Sequence, residues 1–161
     1  MHECMITSPV GPIQLVAEHE HIIAVRFVAA DELAKDQYPT RSQPYQAPIT
    51  GVLKQAYEQL HSYFAGELSH FELPLAPQGT HFQQQVWQQL QRIPYGETCS
   101  YQAVANRINN PKAVRAVGMA NSRNPIAIVI PCHRVIGANG HLTGYAGGLD
   151  KKTWLLNHEG W

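Results

Sequence analysis

Residues 126–136 read Ile-Ala-Ile-Val-Ile-Pro-Cys-His-Arg-Val-Ile, and this stretch restricts the possible folds more than any other. A run of β-branched and apolar side chains is expected to form a buried strand, and Pro131 cannot continue a ladder because it has no N–H. Cys132 is therefore predicted where a buried strand stops. His133 follows at once, and an imidazole near a thiol can hold the sulfur as thiolate, the form that attacks electrophiles. Neighbours in an extended chain point apart, so the pair alone is also compatible with a buried structural cysteine.

The chain has 161 residues, enough for one domain or two small ones, and 44% of them are hydrophobic, the level of a globular protein with a real core. No apolar run approaches the length of a membrane span, and the start, Met1-His2-Glu3-Cys4, lacks the basic-then-apolar order of a signal peptide. A cytoplasmic protein without a membrane partner is the reading. Cys4, Cys99 and Cys132 are odd in number and too few for a disulfide framework, which implies a reducing compartment where a free thiol survives. The net charge is zero, which by itself argues against nucleic acid. The charges are unevenly placed: residues 1–79 carry four basic and nine acidic side chains, and residues 80–161 carry eight basic and three acidic ones. Such a split suggests two domains, the basic one facing a polyanion, and the basic half holds Cys132.

In the acidic half, residues 3–8 read as a strand and Pro9-Val10-Gly11-Pro12 as a turn. Ile13, Leu15 and Ala17 then alternate as in a half-buried strand, a pattern that Ile23, Val25 and Phe27 repeat, so an antiparallel meander is predicted. Residues 31–48 are polar and hold Pro39, Pro44 and Pro48, which predicts loop with a short helix. Leu53, Ala56, Tyr57, Leu60, Tyr63 and Phe64 recur at helical spacing across 49–65, before Gly66, a residue suited to a left-handed cap. Residues 70–75 offer a further strand. Ala76-Pro77-Gln78-Gly79 reads as a linker that divides the chain into domains 1–76 and 80–161. His2, Cys4, His19 and His21 are ligand types for zinc, but a structural site needs four placed ligands, so a solvated cluster without metal is expected.

In the basic half, Thr80-His81-Phe82-Gln83 is a capping-box pattern, and Phe82, Val86, Trp87 and Leu90 then form one apolar face with Trp87 in the core. Ser100 is placed to cap a helix over 101–108. Asn109-Asn110-Pro111 breaks the chain, with Asn110 a cap and Pro111 at the first position of a second helix over 112–122. Two short helices around a tight break form a helix-turn-helix, a pattern equally at home inside a core. Within the second helix Ala113, Ala116 and Gly118 are small while Lys112 and Arg115 are basic, so its backbone can closely approach a phosphate-bearing surface. An Asn-Gly turn at 139–140 doubles the chain back and brings 144–148 over the pocket. A last helix, capped by Asp150 with Leu149 and Trp154 as a hydrophobic staple, ends at Glu159-Gly160.

Pro131-Cys132-His133-Arg134-Val135 is preceded by Asn124-Pro125 and followed by Gly144-Tyr145-Ala146-Gly147-Gly148 and Trp154-Leu155-Leu156-Asn157-His158-Glu159-Gly160. In content and order this series resembles the O6-alkylguanine-DNA alkyltransferases of bacterial type, also called methylated-DNA-protein-cysteine methyltransferases. The likeness is dense from about residue 80 to residue 160 and loose before it. It implies a small N-terminal α/β domain, ribonuclease H-like, joined to a mostly α C-terminal domain with the helix-turn-helix.

The resemblance also implies a relay in which Glu159 orients His133, His133 acts through a water as base, and Cys132 takes the alkyl group from guanine O6, and less well from thymine O4, in duplex DNA. A thioether is not hydrolysed under cellular conditions, so each molecule acts once. A base edge is reached only when its nucleotide leaves the stack, at a cost of roughly a few kcal/mol. Arg115 matches the family's arginine that fills the resulting gap, and Tyr101 the tyrosine that crowds the 3′ phosphate and contacts the flipped base. Lys112, Ala113, Ala116 and Gly118 fall on the helix that enters the minor groove, with Val114 where many members have Ala. Val135, Tyr145 and Ala146 fall at the substrate pocket, Ala146 where several members have Ser, and Asn124 matches a structural asparagine. Either Tyr101 or the water could protonate the leaving guanine. No cofactor and no metal are implied, the partner is double-stranded DNA containing O6-alkylguanine, and the protein is read as a monomer. The principal alternative is a non-catalytic alkyl-lesion sensor, against which the presence of Cys132 speaks. A helix-turn-helix regulator with a sensing thiol and a cysteine hydrolase rank below it.

Overall fold

The computed structural model describes residues 1–33 and 51–161, and the chain divides into two compact units, Met1–Ala76 and Pro77–Trp161. The prolines at 39, 44 and 48 and most of the loop predicted over 31–48 lie outside the described residues.

The first unit is built on an antiparallel meander of β1 (His2–Ile6), β2 (Ile13–Glu18) and β3 (His21–Phe27), in the order β1-β2-β3. Cys4 pairs with Leu15 and Leu15 with Val25, so the alternation seen in the sequence becomes one apolar face holding Ile13, Leu15 and Val25. The pattern fails at one point. Val16 pairs with Ala24 but Ala17 with Ile22, leaving Ile23 as an extra residue in β3. A bulge moves the following side chains to the other face, so Ile22 is buried where Ile23 was expected. A short helix α1 (Ala30–Leu33) follows, and α2 (Gly51–Phe64) covers the sheet with Val52, Leu53, Ala56, Leu60 and Tyr63. Gly66, at φ 78°, ends α2: its N–H donates to the Tyr63 carbonyl and that of Glu67 to Ser62, which satisfies two orphan carbonyls of the last turn. The strand expected over 70–75 is reduced to a single parallel bridge, Leu75 to Ile22.

The second unit begins with α3 (His81–Leu90). The Thr80 hydroxyl accepts the Gln83 N–H at 3.1 Å and the Gln83 side chain accepts the Thr80 N–H at 2.9 Å, a complete capping box. Val86, Trp87 and Leu90 are buried, and the Trp87 indole donates to the Ala120 carbonyl at 2.9 Å. A two-residue strand β4 (Cys99–Ser100) leads into α4 (Tyr101–Arg107), which Ser100 caps through the Ala103 N–H at 3.0 Å. Asn109, at φ 58°, takes the left-handed position after α4, where the short polar side chain of Asn is tolerated. The next helix, α5 (Val114–Ser122), starts two residues later than predicted. Asn110 does not cap it. Its carbonyl instead closes a turn with the Ala113 N–H, and Pro111 and Lys112 lie in that turn rather than in the helix.

The largest correction concerns residues 126–130, which form no strand. The Val129 N–H donates to the Ala127 carbonyl and the Ile130 N–H to Ile126, around Ile128 at φ 71°. This is a γ-turn of the rare positive-φ kind, followed by a looser turn, and it is buried: Ile126, Ile128 and Ile130 are at most 1% exposed. Apolar content alone does not separate a buried strand from a buried turn. Cys132–Arg134 then make one turn of 3₁₀ helix, and β5 (Val135–Ile136) pairs in parallel with β4. The Gly137 N–H to His141 carbonyl bond closes the predicted Asn-Gly turn. The last helix, α6 (Leu149–His158), is preceded by Gly148 at φ 101° with no side-chain cap; Asp150 sits in its first turn and Leu149 is exposed, so the predicted cap and staple are absent.

Candidate active site

Cys132 opens the 3₁₀ turn, which places its side chain and that of His133 where an extended strand could not. The residue is only 6% exposed, and its carbonyl accepts the Val135 N–H within the turn and the Asn121 side-chain amide at 3.3 Å. Asn124 ties the end of α5 to the γ-turn: its amide donates to the Ile130 carbonyl at 2.7 Å and its oxygen accepts the Ile126 N–H at 3.0 Å. Burial pushes the Cys132 thiol above its ordinary pKa. The Asn124 side chain, the Lys152 charge and the backbone at 132–133 act in the opposite direction.

His133 is fully buried, with Nε2 2.7 Å from Glu159 Oε2. An ionised carboxylate only accepts, so Nε2 carries the proton and Nδ1 is left as an acceptor; Nδ1 is buried and has no partner among the described residues. Burial holds the imidazole below its ordinary pKa. The Glu159 hydrogen bond and charge raise it, and the Arg134 and Lys152 charges lower it further. The neutral ring is thus the resting state, with its basic nitrogen free.

Glu159 lies one residue past α6 and is buried, not exposed at a helix end. Arg134 neutralises it: Nε donates to Oε1 at 2.7 Å and Nη2 to Oε2 at 3.1 Å, while Nη1 donates to the Ile93 carbonyl at 2.6 Å. The guanidinium also lies 5.8 Å over the Tyr95 ring. A buried carboxylate without such a partner would be costly, and the fork geometry of Arg satisfies both oxygens.

Lys152 is a second buried cation. Its ammonium donates to the carbonyls of Val135 at 2.7 Å and Thr143 at 2.9 Å, and burial lowers its pKa to about 8 against the opposing pull of Cys132. Tyr101 donates to the same Thr143 carbonyl at 3.1 Å, and the ammonium is 6.0 Å from its ring centre. Tyr101 is thereby held by the loop that follows β5, beside Gly118 of α5, where an added Cβ would come 3.9 Å from the Tyr101 ring.

The structure therefore joins His133 and Glu159 in one buried chain of bonds with Arg134, and sets beside it in sequence a second set in which the Cys132 carbonyl meets Val135, Asn124 holds the preceding turn, and Lys152 and Thr143 link Val135 to Tyr101. Val135 is buried and contributes its carbonyl. Tyr145 is half-buried and Ala146 exposed in the loop before α6. Arg115, Ala116 and Lys112 are exposed on and just before α5, and Ala113 and Gly118 are half-buried. Sequence alone does not single out Arg134, Lys152 or Asn121. Arg134 lies inside the motif next to His133, but a long cation is presumed solvent-facing until a buried carboxylate is known beside it. Lys152, four residues after Gly148 and alongside Lys151, carries no sequence signal that separates the buried lysine from its half-exposed neighbour.

In the first unit, Cys4 is half-buried, its thiol pushed up to about 11 by burial and by Glu3, and His21 Nδ1 meets the His19 carbonyl at 2.8 Å. Among the described residues no group of three or more His, Cys, Asp or Glu side chains could hold a metal ion, and no helix is long and apolar enough to cross a membrane.

Two family models match the chain in succession: residues 1–77 match the ribonuclease-like domain of 6-O-methylguanine DNA methyltransferase, and residues 81–161 match its DNA binding domain. A methylated-DNA–protein-cysteine methyltransferase of Methanosarcina acetivorans is 50% identical over 160 residues, covering 99% of both chains. One from Mycobacterium tuberculosis is 46% identical over 99% of this chain and 92% of its own. The crystal structure of the Mycobacterium tuberculosis protein in complex with DNA superposes with a TM-score of 0.84 at 45% identity, over 99% of this chain and 92% of that one. With both halves matched in order and a buried His-Glu pair following the buried cysteine, the chain belongs to the 6-O-methylguanine DNA methyltransferase family, with a ribonuclease-like α/β domain followed by a helical DNA-binding domain.

Proposed function

We propose that the protein binds duplex DNA and repairs O6-alkylguanine by moving the alkyl group irreversibly to Cys132. The observation that carries this reading is the buried chain of hydrogen bonds from Arg134 through Glu159 to His133, ending at a free basic nitrogen one residue from a buried thiol. Burial keeps that thiol protonated at rest, so a base is required. Nδ1 of neutral His133 takes the proton, through a water, while Glu159 stabilises the imidazolium that forms and Arg134 keeps the carboxylate ionised. The Cys132 sulfur then forms a bond to the alkyl carbon as the bond from that carbon to guanine O6 breaks. The electron pair stays on guanine O6, and the proton held by the His133 imidazolium returns to the base through the water or Tyr101, which leaves an unmodified guanine still joined to its strand. Lys152 supports the thiolate from the other side.

In this reading α5 and the turn before it meet the DNA, with Lys112 at phosphates and Arg115 in the gap of the stack, and the small residues Ala113, Ala116 and Gly118 allow close approach. Tyr101 acts beside the flipped nucleotide, Tyr145 and Ala146 border the pocket with Val135, and Asn124 keeps the nucleophile turn on the helix. O4-alkylthymine is the weaker substrate. The protein acts as a cytoplasmic monomer, without a cofactor or metal.

Incubation with a duplex holding one O6-methylguanine, followed by mass spectrometry, tests the proposal. One methyl on the Cys132 peptide, saturating at one per protein and absent in Cys132→Ser, is the expected result. Tight binding without transfer would replace repair by lesion sensing.

A further inference from the structure

Asn121 is a buried polar group that the relay does not use. It lies on the inner side of α5, 2% exposed, and its amide donates to the carbonyl of Cys132 itself. That carbonyl also accepts the Val135 N–H, so the peptide plane that aims the thiol is fixed from two directions. The other half of the amide, Oδ1, is buried and has no hydrogen-bond partner among the described residues. An orphaned buried acceptor costs more than a single long N–H···O bond returns, so an apolar side chain of similar size would serve stability at least as well. Stability does not account for an asparagine here.

Its position does. The outer side of the same nine-residue helix presents Arg115 and Ala116, and the inner side is pinned at Ala120 by Trp87 and just past the helix at Asn124. Asn124 holds the γ-turn before the nucleophile, whereas Asn121 is the side chain of α5 that reaches the nucleophile's own backbone. We infer that Asn121 is a positioning residue that couples docking of α5 on DNA to the aim of the Cys132 thiol. The inference rests on Cys132 being the alkyl acceptor. Beside the hold of Asn124 on the preceding turn, a shift of α5 on the duplex passes through the Asn121 hydrogen bond to the Cys132 carbonyl and turns the sulfur relative to the incoming alkyl carbon.

Asn121→Leu and Asn121→Ala separate this role from a structural one. Each is compared with the wild-type chain in two reactions followed by mass spectrometry of the Cys132 peptide: methyl transfer from a duplex with one O6-methylguanine, and labelling by iodoacetamide without DNA, which needs no docked helix. Thermal midpoints and affinity for an undamaged duplex are measured on the same proteins. Duplex transfer is expected to fall roughly tenfold in both variants, the loss that follows when one hydrogen bond fixing a reacting group is removed. Iodoacetamide labelling changes far less, duplex affinity is unchanged, and N121L melts at or above the wild-type midpoint. Wild-type transfer rates in a folded N121L, or equal losses in both reactions, would overturn the coupling. A wild-type chain that takes no methyl group would overturn the acceptor reading and the coupling together, a result distinguishable from either.

Discussion

Arg134 sets the balance of the relay, because it is at once the partner that holds both oxygens of Glu159 and a positive charge that disfavours protonated His133. Its removal has two separable effects. In Arg134→Met, Glu159 loses both guanidinium bonds, and breaking a buried pair from one side costs roughly 3–5 kcal/mol, which thermal or denaturant unfolding measures. The imidazole also feels the carboxylate without the opposing cation, so its pKa rises. In the proposed reaction the base is neutral His133, so the acid limb of the rate against pH is expected to move to higher pH. An unmoved limb would mean that Arg134 acts only on stability.

Lys152 gives the opposite case, a charge that burial disfavours in the folded state. Its pKa falls from the ordinary lysine value to about 8, so above pH 8 the unfolded chain keeps a proton that the folded chain has released. Stability from this group therefore rises with pH, by on the order of 3 kcal/mol across the interval up to about 10.4. Below pH 8 both states are charged and the full burial penalty is felt. Subtracting the unfolding free energy of Lys152→Met from that of the wild type cancels other groups, and the difference is expected to grow between pH 7 and 10. A flat difference would show that the ammonium is not desolvated.

Among the elements, those whose signals are local and chemically specific were legible: the Thr80–Gln83 capping box, the Ser100 cap, the Gly66 terminus and the Asn-Gly turn each depend on residues within a few positions of one another. Elements fixed by distant packing were not. Pro111 is well suited to a helix start, yet the chain uses the Asn110 carbonyl for a turn, and α5 begins without a cap because Trp87 and the nucleophile loop hold its other end. Residues 126–130 have the composition of a strand and form a buried γ-turn, since hydrophobic content specifies burial but not which backbone is buried. The same limit applied to the site: Cys132, His133 and Glu159 could be named from the motif, whereas the buried partners Arg134, Lys152 and Asn121 depend on contacts made across the fold. The γ-turn carries a test of its own. A β-branched residue at φ 71° is strained, by about 1–3 kcal/mol, and only its burial keeps Ile128 there. Ile128→Ala keeps the strain and loses the packing, while Ile128→Gly loses the packing and relieves the strain. The glycine variant is therefore expected to be the more stable of the two by unfolding, reversing the usual order in which Gly is worse than Ala by roughly 0.5–1 kcal/mol. The usual order would show that the backbone at 128 is not strained.

Across the whole molecule the zero net charge conceals a division of tasks between the two units, and burial sharpens it. Of the eight basic side chains in residues 80–161, Arg134 and Lys152 are inside, and of the three acidic ones Glu159 is inside. Arg92, Arg107, Lys112, Arg115 and Arg123 are exposed, and Lys151 is half-exposed, against exposed Glu97 and Asp150. The two buried cations are engaged inside, Arg134 by Glu159 and Lys152 by the Val135 and Thr143 carbonyls, whereas the exposed ones lie at the surface. A surface with so few exposed cations predicts a shallow dependence of DNA affinity on salt, because each phosphate neutralised contributes a slope of only about −0.9 in log affinity against log salt. Lys112 is the clearest single contributor, being exposed in the turn that leads into α5 and free of any base-reading geometry that a helix position would give. Lys112→Ala is expected to weaken binding to damaged and undamaged duplex alike and to reduce the salt slope by about 1. Arg115→Ala, in the first turn of α5 on its exposed side, is expected instead to slow alkyl transfer from duplex DNA more than it weakens binding, if Arg115 has the proposed role of filling the stack, a step that follows docking. Titrations of both variants at several salt concentrations, beside single-turnover transfer, would distinguish the two roles. If Lys112→Ala affected only the damaged duplex, the positive turn would belong to lesion recognition and not to general attachment.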